Sequence, residues 1–469
     1  MRSLTDTILA ILLTLPAVAA EPATEAATAA LRPVVELEEE VYRFEPANNG
    51  AGPMWCSGST CLVRIGEEVF ASGLETLKEF QPLNNCRWLL FKRSAQGWAL
   101  QQADAKDRTR EPCPLACFSA GPLFLSANPT LATDRSVRAG PAQPKVLEFD
   151  PANTKGPFKS LLPEWEGSPP FTEHSYRSFA ADGPGRELIL MQNVGYTHAE
   201  WAFRDRQGRW SAKGQLVFPW GAEYPQPRAV RVCYPNVAVK DRAVYFCGVS
   251  DIEEPYPEWR AYKKQLTGRD WDYDFRRLFF TWCPDITKGR FAPWVEIATR
   301  DKTAGWIMPG DLWVGPDGTV HLLWLERALD ERLRRKFFPE ARQSHVLNYA
   351  RLREGKVVLR RALLEAVEGG PREVPSAGRF HVTPDNRLLV VCYVAGASAE
   401  GKSVSENRLL EIGPDGAVKQ QARLALAHPL SSYFTATVRA GSPPSLTIDL
   451  LGHRADGAAA IGYARIRLQ

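Results

Sequence analysis

Residues 311–326 read DLWVGPDGTVHLLWLE, two apolar runs joined through Pro316, Asp317 and Gly318. An Asp-Gly pair between strand-like runs is a strong local signal for a β-hairpin. The same unit recurs along the chain. Copies begin near Thr60 (TCLVRIGEEVFAS), Pro114 (PLACFSAGPLFLSA), Ser178 (SFAADGPGRELILMQ), Tyr234 (YPNVAVKDRAVYFCGVSD), Phe380 (FHVTPDNRLLVVCYV) and Thr435 (TATVRAGSPPSLTIDLLG), which makes seven in all. Recurrence over almost the whole chain marks a radial repeat rather than unrelated hairpins. The predicted fold is all-β, a seven-bladed β-propeller in which each hairpin supplies the two innermost strands of a blade.

Further strands follow most hairpins. CRWLLFKR leads to SAQGWALQQ, EWAFRDRQGRW leads to SAKGQLVF, and SHVLNYARL leads to KVVLRRALL. The seventh unit stops at AIGYARIRLQ with no fourth strand after it, while VVELEEEVYRF (34–44) stands spare near the other end. Pairing the two would close the ring and remove its open edges. Two longer inserts, 252–276 and 327–343, have helical character and belong to blades four and five. They are expected to rise together over one side of the channel mouth. The second carries Arg327, Arg332, Arg334, Arg335, Lys336 and Arg342 against Asp330, Glu331 and Glu340. That pattern fits a solvated helix face, or a positive rim for an anionic ligand.

Composition narrows the classes. The 469 residues are 44% hydrophobic with 36 prolines and 35 glycines, enough to bury a large core in a turn-rich β protein. No linker divides the repeats, so 34–469 reads as one domain. A net charge of +4 without a basic stripe excludes nucleic acid as the expected partner. Arg2 followed by ILAILLTLPAVAA reads as a signal peptide over 1–20, with 21–33 as a flexible leader; the expectation is a secreted or periplasmic protein with no membrane span. Nine cysteines leave at least one unpaired. Cys233 and Cys247 face each other if their hairpin turns at Lys240 and Asp241, which would allow a cross-strand disulfide. No Cys/His spacing suggests zinc and no oxygen-ligand loop stands out. The sequence requires no cofactor, and a structural or channel cation is compatible with it.

Residues just before each first strand and just after each second strand should ring one channel mouth. Blade three is the most polar there, with His174, Tyr176, Arg177, Asn193, Tyr196 and His198. Blade four adds Arg231, Tyr234 and Asp251, blade five Trp306, Asp311 and Glu326, and blade six Arg379 and His381. An arginine that neutralises a uronate carboxylate acidifies the adjacent C–H; a His or Tyr can then take that proton, and another can protonate the leaving oxygen. Asp251, Asp311 and Glu326 are the alternative, as carboxylates for glycoside hydrolysis.

YRSFAADGPGRELILMQ, with Tyr176 and Arg177 at its head, resembles the aromatic–Arg start of a blade in the sialidase-like, BNR-repeat β-propellers. FRDRQGRW, with Asp205, Gly208 and Trp210, is similar to a degenerate Asp-box of that superfamily, and SAQGW echoes it. The resemblance implies that Arg177 grips the carboxylate of an acidic sugar. The expected function is therefore that of an exported carbohydrate-active propeller acting on a uronate or sialate-like saccharide by lyase-type β-elimination. His174, His198, Tyr176, Tyr196 and Tyr234 are the catalytic candidates. Arg177, Arg231, Asn193, Asp251, Asp311, Glu326, Trp306, Arg379 and His381 are the substrate-binding candidates. A sialidase-like hydrolase and a non-catalytic glycan- or protein-binding propeller are the alternatives.

Overall fold

Strands that alternate or run continuously apolar must bury at least one face, and here they do so in seven four-stranded antiparallel sheets. The computed structural model describes residues 30–469 apart from 81–82, 138, 271 and 371. The expected signal peptide (1–20) and most of the expected leader lie outside the described residues, as does Trp271. Blade one is Leu62–Ile65, Glu68–Thr76, Cys86–Ser94 and Gly97–Ala103; blade two is Leu115–Cys117, Leu123–Ala127, Lys145–Phe149 and Lys159–Leu161. Blade three is Ser178–Asp182, Glu187–Val194, His198–Arg204 and Trp210–Val217. Blade four is Val232–Lys240, Ala243–Ser250, Arg277–Cys283 and Val295–Thr299. Blade five is Trp306–Val314, Val320–Arg327, Ser344–Arg353 and Lys356–Val367, and blade six is Arg372–Val382, Leu388–Ala397, Ser403–Ile412 and Val418–Leu424. Blade seven takes Leu430–Thr435, Thr447–Arg454 and Ala460–Leu468, and its fourth strand is Pro33–Arg43, antiparallel to the third from Pro33 opposite Leu468 to Arg43 opposite Ala460. The fold is a seven-bladed all-β propeller.

Two short helices lie between second and third strands. Helix α1 (Pro257–Thr267) belongs to blade four; it starts with proline in its first turn and stops at Gly268, whose φ of 70° is left-handed. Helix α2 (Glu331–Phe337) belongs to blade five and is capped by the Asp330 carboxylate, which accepts from the Arg332 N–H. Trp259 of α1 packs on Phe338 at 5.4 Å, and Tyr262 packs on Phe337 at 5.7 Å. The face on which these inserts emerge, where first strands start and second strands end, is called the insert face below. The other is the hairpin face.

Under α1 the ionic groups are buried. Lys263 reaches Glu254 at 2.6 Å and Asp272 at 2.8 Å, and Arg276 pairs with Glu254. Asp274 beside them is 1% exposed. Burial pushes its carboxyl up to about 8 from an ordinary 3.8, with Asp301 and Glu254 adding to the rise against the pull of Arg276. The folded state thus binds a proton that the unfolded chain releases at 3.8. Its contribution is fully present below that value and is lost as pH rises toward about 8. Asp274→Asn is expected to flatten the fall in urea midpoint between these pH values.

The cysteines differ from expectation. All nine are free and buried. The fourth hairpin turns one residue later, at Asp241 and Arg242, and a bulge at Tyr234 and Pro235 shifts the register, so Cys233 lies opposite Val249 and Cys247 opposite Asn236. The turn has left-handed φ at two non-glycine residues, 49° at Asp241 and 65° at Arg242. Each costs roughly 1–2 kcal/mol. Blade three holds the pair in place: the Asp182 carboxylate accepts from the Asp241 N–H at 3.0 Å, and Glu187 accepts from the Arg242 N–H at 2.9 Å. An Asn-Gly turn (Asp241→Asn with Arg242→Gly) is expected to raise stability by about 1 kcal/mol in urea denaturation.

The centre of the ring is filled by two chain segments. Segment 52–60 enters from the insert face. The Ser59 hydroxyl accepts from the Phe179 N–H at 3.1 Å, the Thr60 carbonyl accepts from Leu115 N–H at 2.8 Å, and the Thr60 hydroxyl donates to the Thr435 carbonyl at 2.9 Å. Gly58 is pressed against blade four, where a Cβ would lie 2.3 Å from the Pro235 oxygen. Segment 436–446 enters from the hairpin face, with the Ala440 carbonyl accepting from Cys117 N–H at 2.8 Å and the Arg439 carbonyl from Ala181 N–H at 2.9 Å. The two segments meet where Arg439 Nη1 donates to the Gly58 carbonyl at 2.7 Å. Asp311 anchors the junction, taking Arg439 Nε on one oxygen at 2.7 Å and the Phe380 N–H on the other at 3.0 Å.

Candidate functional site

This filled centre redistributes the residues expected at one mouth. The first strands of blades five and six begin at Trp306 and Arg372, before the apolar runs that mark them in sequence. Asp311, Arg379 and His381 therefore sit deep in the ring or at its hairpin end. Arg379 donates to the carbonyls of Ser57 at 2.8 Å and Tyr433 at 3.1 Å, and also to that of Gly310. His381 donates from Nε2 to the Ser445 carbonyl at 2.7 Å, and burial pushes its ring down to about 4, so it stays neutral. These three hold the central segments and cannot bind substrate at the insert face. Trp306 packs against the core of blades five and six.

The candidate carboxylates are each committed. Asp251 faces Arg231 at 2.5 Å, Asp311 faces Arg439, and Glu326 accepts from Arg300 Nε at 2.5 Å and Trp324 Nε1 at 2.6 Å. Asp251 and Asp311 are 1% exposed.

Blades two to four do bring a group together on the insert face. Trp55, from the incoming segment, stacks on Tyr176 with ring centroids 5.0 Å apart and planes 15° from parallel. Tyr234 meets Tyr176 edge-on at 5.0 Å and Trp55 at 5.7 Å, and His174 closes the group at 5.1 Å from Tyr176. Tyr234 has a φ of 47° in the bulge that makes room for Gly58, so its ring is aimed by strained backbone. Arg231 lies beneath a second set, its guanidinium carbon 4.0 Å from the Tyr196 centroid, 5.1 Å from Tyr176 and 5.9 Å from Tyr273. The Tyr196 and Tyr273 hydroxyls are 3.1 Å apart, and Tyr196 is 47% exposed. Burial raises the phenols of Tyr176, Tyr234 and Tyr273, so they remain protonated donors at neutral pH.

Two further residues complete the group. Arg110 donates to His174 Nδ1 and, through Nε, to the Asn49 carbonyl at 3.0 Å. A guanidinium can only donate, so Nδ1 must be bare and the neutral ring carries its proton on Nε2. His174 thus offers an N–H, not a basic lone pair. Glu111, fully buried, accepts from the Ser175 N–H at 2.8 Å and hydroxyl at 2.7 Å, which fixes the backbone beside His174. Both residues immediately precede the first strand of blade two. The positional rule that selected His174 would have found them.

Other candidates fall outside the group. Arg177 is 1% exposed and donates to the Pro112 carbonyl at 2.7 Å, beneath the surface rather than on it. The carboxylate grip implied for it has no solvent-facing guanidinium to act through. Asn193 accepts from the Tyr176 N–H at 2.7 Å, a supporting role. His198 is turned to Thr197 at 2.8 Å and to Glu200 at 3.2 Å. The turn FRDRQGRW is built as an aspartate-centred loop, with the Asp205 carboxylate accepting from the Gln207 and Arg209 N–H groups, both at 3.0 Å. Among the described residues, no cluster of three or more His, Cys, Asp or Glu is arranged to hold a metal, and no helix is long and apolar enough to cross a membrane.

No protein-family model matches the chain, and no curated protein matches it. Solved structures to which it is similar include a polysaccharide lyase, at 11% identity over 96% of this chain and 95% of that one with a TM-score of 0.47. An α-L-arabinanase of Penicillium chrysogenum in complex with arabinobiose is similar at 10% identity over 93% and 98%, TM-score 0.41. A protein of unknown function from Dyadobacter fermentans is similar at 10% identity over 93% and 99%, TM-score 0.44. Likeness at this level leaves the chemistry to the residues themselves.

Proposed function

We propose that the protein binds an acidic saccharide on the insert face and cleaves it by β-elimination. The observation that carries this reading is the meeting of exposed and half-buried aromatic faces with a fixed imidazole N–H and two arginines, one of them under Tyr196. Aromatic faces suit the apolar faces of sugar rings, and the Arg110 and His174 donors suit a uronate carboxylate. In this reading His174 Nε2–H and Arg110 take the carboxylate. Tyr196, reacting as its phenolate above Arg231, takes the proton from the carbon next to the carboxylate and becomes the neutral phenol, while Arg110 and His174 stabilise the negative charge that develops on that carboxylate. The electron pair forms the C=C bond, the C–O bond to the leaving sugar breaks, and Tyr234 protonates that oxygen. Hydrolysis by a carboxylate pair is disfavoured because Asp251, Asp311 and Glu326 are all bound to arginines.

The proposal includes export through residues 1–20, a wall formed by the α1 and α2 inserts beside the site, and distant kinship with sialidase-like propellers. It requires no cofactor. The test is incubation of the purified protein with uronate polymers while ultraviolet absorbance of an unsaturated uronate is followed. A rise with each cleavage supports the reading. New reducing ends without that absorbance would make it a hydrolase, and saturable binding with neither would make it a glycan-binding propeller.

A further inference from the structure

The hairpin face carries an open concavity of about 250 Å³, built from the turns of blades two to six and the 436–446 segment of blade seven. Its walls are apolar: Trp313, Pro316, Val382, Val438 and Pro443 line it. The floor is rigid, since Arg439 is fixed by Asp311 and by the Gly58 carbonyl. Preformed apolar concavities with a few placed polar groups are the usual form of a small-molecule site, and this one has room for a small ligand.

The polar lining is Ser119, Asn386 and Ser442 with three charged residues. Lys240 lines the cavity, and its ammonium donates one hydrogen bond, to the Gly315 carbonyl at 2.6 Å, out of three it can make. Among the described residues no carboxylate forms an ion pair with it. The Asp182 carboxylate also lines the cavity but has both oxygens engaged, by the Gly185 N–H at 2.9 Å and the Asp241 N–H at 3.0 Å. Arg439 is neutralised by Asp311, so the Lys240 ammonium is the cation this lining can offer a ligand, beside the engaged Asp182 carboxylate. The strained turn at Asp241 and Arg242 directly follows Lys240, and contacts from blade three hold it, which fixes where the lysine emerges.

We propose that this cavity binds a small amphipathic anion, its aryl or branched-alkyl body against Trp313, Val382 and Val438 and its carboxylate or sulfonate on Lys240. The site is on the opposite face from the saccharide surface and does not depend on that reading. The test uses 8-anilinonaphthalene-1-sulfonate and N-phenyl-1-naphthylamine, which share their rings and differ in the sulfonate. The folded protein, its near-ultraviolet circular dichroism unchanged, is expected to bind the sulfonate at one saturable site with enhanced fluorescence. Lys240→Met should weaken that binding about tenfold and leave the neutral probe unchanged. Val438→Trp, which fills the cavity, should abolish binding of both. Should Lys240→Met fail to fold, a crystal structure of the wild-type protein with the sulfonate decides whether the anion meets Lys240. Absence of binding by the folded protein, equal binding after Val438→Trp, equal weakening of both probes by Lys240→Met, or the sulfonate seated elsewhere would each overturn the proposal.

Discussion

Asp311→Asn is expected to destabilise the protein by about 3–5 kcal/mol, the usual cost of stranding one partner of a buried ion pair. Asp311 and Arg439 are 1% and 5% exposed, and the pair sits where the two central segments meet. Neutralising the carboxylate leaves a buried guanidinium without its counter-charge and weakens the tie to the Phe380 N–H. Urea denaturation followed by tryptophan fluorescence measures the loss. Replacing Arg439 with Met in the same chain should recover part of it, because the stranded charge is then gone. A variant within 1 kcal/mol of wild type would mean that the junction contributes little. Since segments 52–60 and 436–446 touch strands of nearly every blade, the transition is also expected to remain a single step, unlike a solenoid that can fray repeat by repeat.

That junction was invisible in the sequence for a physical reason. Strands announce themselves by alternation and turn residues, and each of the seven hairpins could be read that way, as in 311–326. A segment running down the axis has no sheet to face and so no period. AGPMWCSGST reads as loop, and RAGSPPS reads as part of a hairpin turn. The same limit misplaced Arg379 and His381. Their apolar run begins at Phe380, whereas the strand begins at Arg372, its first half being polar with a bulge after Pro375. At the candidate site, His174, Tyr176, Tyr196, Arg231 and Tyr234 were legible from their places at strand ends. Arg177 was given the leading role by resemblance, but the covering segment that carries Trp55 and Cys56 leaves it 1% exposed.

The second large effect expected is on turnover. Under the β-elimination reading, Tyr196→Phe should lower kcat by about 10²–10⁴-fold, the range for loss of a proton-transfer group, with little change in KM. The ring still stacks on Arg231 and the sugar, but the hydroxyl that faces Tyr273 is gone. Arg110→Met should act differently, raising KM as well, since it releases His174 from its tautomer and removes a cation. If Tyr196→Phe keeps full activity, proton abstraction belongs to another group.

Blade seven is assembled from the first strand of the described chain and the last three. During synthesis, Pro33–Arg43 emerges long before Ala460–Leu468, its only partner in the sheet, and must stay solvated without finding a neighbouring chain. Its sequence is suited to that wait. Glu36, Glu38, Glu39 and Glu40 crowd the strand with negative charge, the device by which free strand edges resist aggregation. Once the seam closes, those charges are put to use: Glu39 takes Arg93 of blade one at 2.7 Å, and Glu38 accepts the N–H groups of Ala427 at 2.7 Å and His428 at 2.9 Å. The acidic run is a gatekeeper while the chain is nascent and a fastener once the ring is whole.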